Sequence, residues 1–245
     1  NHTAVGKDAL LVSTASGYDT AIGDSVLKAN TTGNYNTGVG ASALAANTTT
    51  SNHTAVGYAA LSSNTTGVNN TAVGKDSMRA TTTGTQNTAV GNASLEINTT
   101  GDYNIAIGDF ALYSNTTANN NVAIGKDAML YNTTGTENVA VGTAALDANT
   151  TGSHNTAVGY SAGGAITTGE SNVCIGYNAG DAITTGNTNT GLGAGALGAT
   201  TTAGNNVAVG FEALGANTTG SENAAVGRYA LDANTTGTNN VAMGN

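Results

Sequence analysis

The sequence predicts an all-β chain, a parallel β-solenoid (β-roll) with one 17-residue coil per repeat, and three observations carry that expectation. The first is a glycine preceded by an aliphatic residue at Gly6, Gly23 and Gly40, which returns at the same interval as far as Gly227 and Gly244 without a slip. A short, constant period means that each unit stacks on the next, because so small a unit cannot bury a core alone. The second is composition: the apolar residues are mainly Ala, Val, Ile and Leu, with 4% aromatics and no Trp or Pro, which suits a thin interior between close walls. The third is the failure of the helical alternative, since Gly is frequent, β-branched residues fill the fixed positions and the period sustains no continuous 3.6-residue stripe. Residues 1–245 are therefore expected to form a single solenoid of about 14 coils. Both terminal residues lie inside the repeat, so the chain reads as a segment of a longer fibre.

With the recurring glycine as position 0, each column of the repeat can be assigned a side. Position −1 is aliphatic in every copy, from Val5 and Ile22 to Val226 and Met243, and is expected to form the core of a first strand. Position −3, mostly Thr or Val, shares its face by strand alternation. A second strand is expected from position +3, with Leu at +4 (Leu10, Leu27, Leu44), a mostly Ala column at +6 and Thr at +8 pointing inward. The variable pair at +1 and +2 makes one turn and the Gly-rich stretch after two threonines makes the other. Two short strands and two turns then close each coil.

Position −2 is expected to face outward, opposite that core. It holds Ala4, Ala21, Ala55, Ala72, Ala89, Ala106, Ala123, Ala140, Ala157, Ala208, Ala225 and Ala242, with Cys174 and two glycines in the remaining copies. A continuous outward strip of very small side chains is what close backbone approach between neighbouring chains requires, so this column is the expected assembly face. The competing reading is that a flat Ala strip simply suits tight stacking of identical coils.

Segments such as Asn121-Val122-Ala123-Ile124-Gly125 and Asn138-Val139-Ala140-Val141-Gly142 resemble the head-domain repeats of trimeric autotransporter adhesins and related repeats of phage tail-fibre-like proteins. That resemblance spans the whole chain and implies a left-handed roll with three chains packed side by side into a rigid surface fibre. It also implies an extracellular or virion-surface location, an attachment role and a cell-surface or glycan receptor. The constant 17-residue period departs from the shorter repeat typical of those heads.

Composition bounds the partners. A net charge of −9 with six scattered Lys and Arg argues against nucleic acid, and no stretch approaches the length of apolar chain needed to insert in a membrane. One Cys permits no intrachain disulfide. Asn-Thr-Thr occurs at Asn30, Asn47, Asn64, Asn98, Asn115, Asn132, Asn149, Asn217 and Asn234, each a formal N-glycosylation acceptor, as are Asn1, Asn52, Asn69 and Asn92. The alternative, Asn and Thr stacked as ladders that close the turn, is favoured because sugars one coil apart would crowd. A filament-forming extracellular structural protein, with these turns as optional glycan sites, is the runner-up function.

Ice binding ranks third: Thr recurs at +8 and +9, but adjacent threonines in a strand point to opposite faces. His2, His53 and His154 fall in separate coils, and Cys174 replaces an Ala, so neither a metal nor another cofactor is expected. No nucleophile with a base can be nominated, so no enzyme is expected. Aromatics at +1 and +2 (Tyr58, Phe110, Tyr160, Tyr177, Phe211, Tyr229) mark an edge that would suit a carbohydrate or receptor, although an exposed turn also tolerates any residue. No constellation is expected to break the period and mark a specific ligand.

Overall fold

The computed structural model describes residues 1–14 and 17–244 of the chain, which divides into two units, residues 1–121 and 122–245. In the first unit lie β1 (Thr3–Val5), β2 (Thr20–Ile22), β3 (Thr37–Val39), β4 (Thr54–Val56), β5 (Thr71–Val73), β6 (Thr88–Val90) and β7 (Ile105–Ile107). In the second lie β8 (Val122–Ile124), β9 (Val139–Val141), β10 (Thr156–Val158), β11 (Val173–Ile175), β12 (Thr190–Leu192), β13 (Val207–Val209), β14 (Ala224–Val226) and β15 (Val241–Met243). Within each unit every strand pairs in parallel with the next at a shift of one repeat, as in Ala123 opposite Ala140 and Ala157 opposite Cys174. Both units are thus parallel β-solenoids of 17-residue turns, with about 14 turns between them and no helix among the described residues.

The recurring glycine is a backbone requirement. Gly125 has φ +137°, outside the range of L side chains, and a Cβ there would overlap the carbonyl of Gly142 in the next coil. The strand must turn a corner at this point while its neighbours approach closely, and glycine alone allows both.

Each coil carries one strand, not two. After the glycine the chain runs through three overlapping turns, seen in coil 142–158 and its neighbour as Ala145 N–H to Gly142 O (3.3 Å), Gly164 N–H to Ser161 O (3.1 Å) and Asn149 N–H to Leu146 O (3.1 Å). Positions +2 and +4 are left-handed, Ala144 at φ +54° and Leu146 at φ +51° among them. A left-handed leucine costs roughly 1–2 kcal/mol, so burial of its side chain must offset that strain. The leucines do sit fully buried, from Leu27 to Leu214.

The inward and outward columns are exchanged relative to expectation along the strand. Position −2 points in: Ala21, Ala55, Ala72, Ala89, Ala106, Ala123, Ala140, Ala157, Cys174, Ala208 and Ala225 are all 0% exposed inside a single chain. Ala4 is exposed and Ala242 half-buried, both in terminal strands. Positions −1 and −3 point out, with Ile22, Val90, Ile107 and Ile124 all exposed. The interior is too thin for aliphatic residues on both walls. Where Val26 enlarges the opposite wall, the inward residue shrinks to Gly38, whose Cβ would come within 2.5 Å of Val26 Cγ1. Position +4 is inward as expected, but +6 and +8 are not; +3, +7 and −4 replace them.

Two of the five inward columns, −4 and +7, are therefore polar. Asn at −4 accepts the N–H of its equivalent one coil on, as in Asn155 N–H to Asn138 Oδ1 (2.9 Å) and Asn172 N–H to Asn155 Oδ1 (2.9 Å). Its amide donates to the far corner, Asn155 Nδ2 to Gly169 O at 2.8 Å. Asn at +7 reaches the same corner from the other side, Asn149 Nδ2 to Gly152 O at 3.0 Å. Buried amides linked in this way satisfy the close corner carbonyls that no strand partner reaches.

Candidate functional site

The buried Ala column cannot serve as the assembly face proposed for it, because it already lines the interior of its own coil. The surface that does recur outward is the opposite strand face. In the second unit it presents Ile124 (37% exposed), Val158 (36%), Leu192 (44%) and Val226 (38%) at position −1. Val122, Val139, Val173, Val207 and Val241 stand beside them at −3. No charged residue occupies either column in any coil. At about 4.8 Å per coil and 3.3 Å per residue, the eight strands of this unit present about 380 Å² of flat, mostly apolar sheet, a size at which the largest patch of a monomer is often functional. Sequence reasoning missed these residues by assigning the larger aliphatics to the core; the signal available was that +4 leucines already fill a thin coil.

In the folded coil the Asn-Thr-Thr asparagines are inside, against the glycan reading of these turns. Asn30, Asn47, Asn64, Asn98, Asn115, Asn132, Asn149 and Asn217 are 0% exposed and Asn234 is half-buried, and their amide nitrogens are spent on corner carbonyls, as in Asn64 to Gly67 and Asn132 to Gly135, both at 3.1 Å. A glycosyltransferase needs that nitrogen free, which the folded coil denies. The sequons at Asn52 and Asn69 differ, since both residues are exposed at a corner. The ladder alternative holds in detail, because Thr at +8 also donates to the next coil, Thr150 Oγ1 to Thr167 O at 3.0 Å.

The titratable residues are dispersed. His53 occupies the −4 Asn column inside the first unit, where its Nδ1 accepts the Asn70 N–H at 3.3 Å and Thr50 Oγ1 stands 3.1 Å from Nε2. Burial lowers its pKa to about 4, so it sits neutral in place of an amide. His2 lies 3.5 Å from Asp19 and His154 lies 3.2 Å from Glu137, each a local pair. Burial pushes the Cys174 thiol up to about 12, which makes it a core residue without thiolate character. Among the described residues no three His, Cys, Asp or Glu side chains gather to hold a metal ion, and no helix is long and apolar enough to cross a membrane.

Of the aromatics at +1 and +2, Tyr160 and Tyr177 stack with ring centroids 5.5 Å apart, and Arg228 lies over Phe211 and Tyr229. Tyr18 and Tyr35 stack on the other corner, 5.4 Å apart. Comparison of the chain with known protein families, with characterised proteins and with solved structures found no match.

Proposed function

We propose that this chain is a rigid segment of an extracellular fibre on a cell or virion surface, with a structural and attachment role and no catalysis. Three chains pack side by side in a left-handed roll, with the −1 and −3 columns at the shared axis. The observation that supports this reading is the outward aliphatic face, repeated strand after strand and free of charge. Left in water it is a liability; against a second copy it becomes a core. A parallel threefold arrangement would place equivalent residues of each chain at the same height. The resemblance of the Asn-Val-Ala-Ile-Gly segments to trimeric adhesin heads supports the same assembly.

Sedimentation equilibrium tests it. The wild-type chain is expected at three times its monomer mass, and Ile124→Lys with Val158→Lys is expected to give a folded monomer with an unchanged circular dichroism spectrum. A wild-type chain that stays monomeric at high concentration would remove the proposal.

One observation favours a second reading, ice binding. In the first unit Thr3, Thr20, Thr37, Thr54, Thr71 and Thr88 stand in register at −3 beside the aliphatic column on one flat face. Thermal hysteresis of the purified chain decides it, and its absence leaves the fibre reading alone.

A further inference from the structure

The period does break in one place, and there the surface opens. Position +5 carries large side chains in several coils, such as Arg79, Tyr113 and Leu130, but from the coil of Gly142 onward it reads Asp147, Gly164, Asp181, Gly198, Gly215. The loss of bulk exposes a cleft on the +1 to +6 edge of the second unit. One chamber, of 470 Å³, is lined by Tyr177, Asn178, Asp181 and Glu212, with Phe211 beyond Ala194 and Gly195. An adjoining chamber of 550 Å³ is lined by Tyr160, Tyr177, Asp147 and Asp181. Tyr177, Asn178 and Asp181 line both.

The aromatic spacing is informative. Tyr160 and Tyr177, one coil apart, stack on each other. Tyr177 and Phe211 are two coils apart, because Ala194 occupies the intervening place. At about 4.8 Å per coil their rings stand roughly 10 Å apart, so a six-membered ring seated midway would lie about 5 Å from each, within stacking range. Phe211 is backed on its far side by Arg228, 5.7 Å from its centroid, which fixes the ring as a wall.

The polar groups limit what can enter. No basic side chain lines either chamber among the described residues, whereas Asp147, Asp181 and Glu212 do, so an anionic ligand is disfavoured. Desolvation raises the Asp147 and Asp181 carboxyls above their usual range, so hydrogen-bond donors that reach them would relieve a cost already present. Asn178 Oδ1 is buried at the cleft lining without a hydrogen-bond partner. A small organic cation would suit the charge but would leave most of two adjoining chambers empty. An uncharged oligosaccharide fits better: its ring faces are apolar, its rim offers hydroxyl donors, and consecutive rings can occupy the two adjoining chambers.

We propose that this cleft binds a neutral oligosaccharide, with Tyr177 and Phe211 as stacking walls and Asp181 and Glu212 accepting hydroxyl hydrogens. It gives the attachment reading a ligand class, yet none of its residues lies in the −1 or −3 columns, so loss of lateral assembly and loss of this site are separable.

The test uses the full chain on a printed array of neutral and acidic glycans, followed by titration of the best neutral tetrasaccharide and of tetramethylammonium chloride. Saturable binding to neutral chains is expected, weakened about tenfold by Tyr177→Ala through the lost stacking. Gly198→Leu, which places in the cleft a side chain that the same position carries at Leu130, should abolish binding with the fold intact by circular dichroism. Tyr58→Ala, on the other unit, and the assembly-face variant Ile124→Lys should both bind as wild type. Retention of no neutral glycan, binding indifferent to Tyr177→Ala and Gly198→Leu, or saturation by tetramethylammonium alone would each overturn the proposal.

Discussion

Two coils of the second unit exchange large and small residues across the interior, which allows the inward assignment to be tested by a double-mutant cycle. Where most coils have Leu at +4 and Asn at +7, these have Gly163 with Ile166 and Gly180 with Ile183. A Cβ on Gly163 would stand 3.0 Å from Ile166 Cδ1, so the isoleucine occupies the space a leucine would fill. Installing this pair at Leu146 and Asn149 should reproduce the exchange. Leu146→Gly alone empties a fully buried site, costing about 3–5 kcal/mol, of which roughly 1 kcal/mol returns because Leu146 is left-handed at φ +51°. Asn149→Ile alone removes a 2.8 Å hydrogen bond to Asn132 Oδ1, about 1 kcal/mol, while Gly152 O keeps its bond from Asn138 at 2.9 Å. Overpacking against Leu146 adds about 1–3 kcal/mol. In the double variant the isoleucine fills the vacancy and the overpacking vanishes, so the two changes should couple favourably by at least about 2 kcal/mol. Urea denaturation followed by far-ultraviolet circular dichroism reads all four proteins. Additive effects, within about 0.5 kcal/mol, would refute the reasoning that these two positions share one interior space.

Three further outcomes follow from buried groups. His53 is neutral in the fold with a pKa of about 4 against 6.5 when unfolded, so its contribution is full above pH 6.5 and is lost as pH falls toward 4. The loss is on the order of 3 kcal/mol, and His53→Asn, the residue usual in that column, should remove this part of the pH dependence of the urea midpoint. Cys174, buried with its thiol raised to about 12, should not react with Ellman's reagent in native buffer and should react stoichiometrically in guanidinium; rapid native reaction would place it outside the coil. Secreted from a glycosylating eukaryotic host, the chain should leave Asn132 and Asn149 unmodified by peptide mapping if it folds before modification, with occupancy confined to accessible sequons such as Asn52 and Asn69.

The solenoid itself was legible because a period is a property of sequence alone: Gly125 and its equivalents sit where φ near +137° and coil-to-coil contact admit nothing else. What the repeat does not carry is which side of a three-residue strand faces in. Alternation fixes that −3 and −1 share a side, and a one-residue error of parity moves the whole set from core to surface. Hydrophobicity assigns Val and Ile to the core, whereas thinness decides: Gly38 opposite Val26 shows that the interior has room for Ala and little more at this wall. Leu27 and Leu44 look like residues of a second strand, whereas burial holds them in left-handed turns at φ +48° and +52°. The Asn columns were visible as a ladder but not as core, since buried amides are unexpected until the corner carbonyls that need them are located. The cleft is written in the sequence too, as the change from Leu130 to Asp147, Gly164 and Asp181 at one column, but each residue alone looks like turn variation.

The central claim is that Ala lines the interior while the neighbouring aliphatic residues meet another chain. Paired cysteine substitutions in a Cys174→Ala background, Ala123→Cys and Ile124→Cys, test it by intermolecular disulfide formation under mild oxidation. Adjacent in sequence, the two positions face opposite ways: Ala123 is 0% exposed and Ile124 is 37% exposed. Covalent linkage of chains through Ile124→Cys, with Ala123→Cys remaining a reduced single chain, is the result the account predicts. Linkage through Ala123→Cys instead, with Ile124→Cys inert, would contradict it.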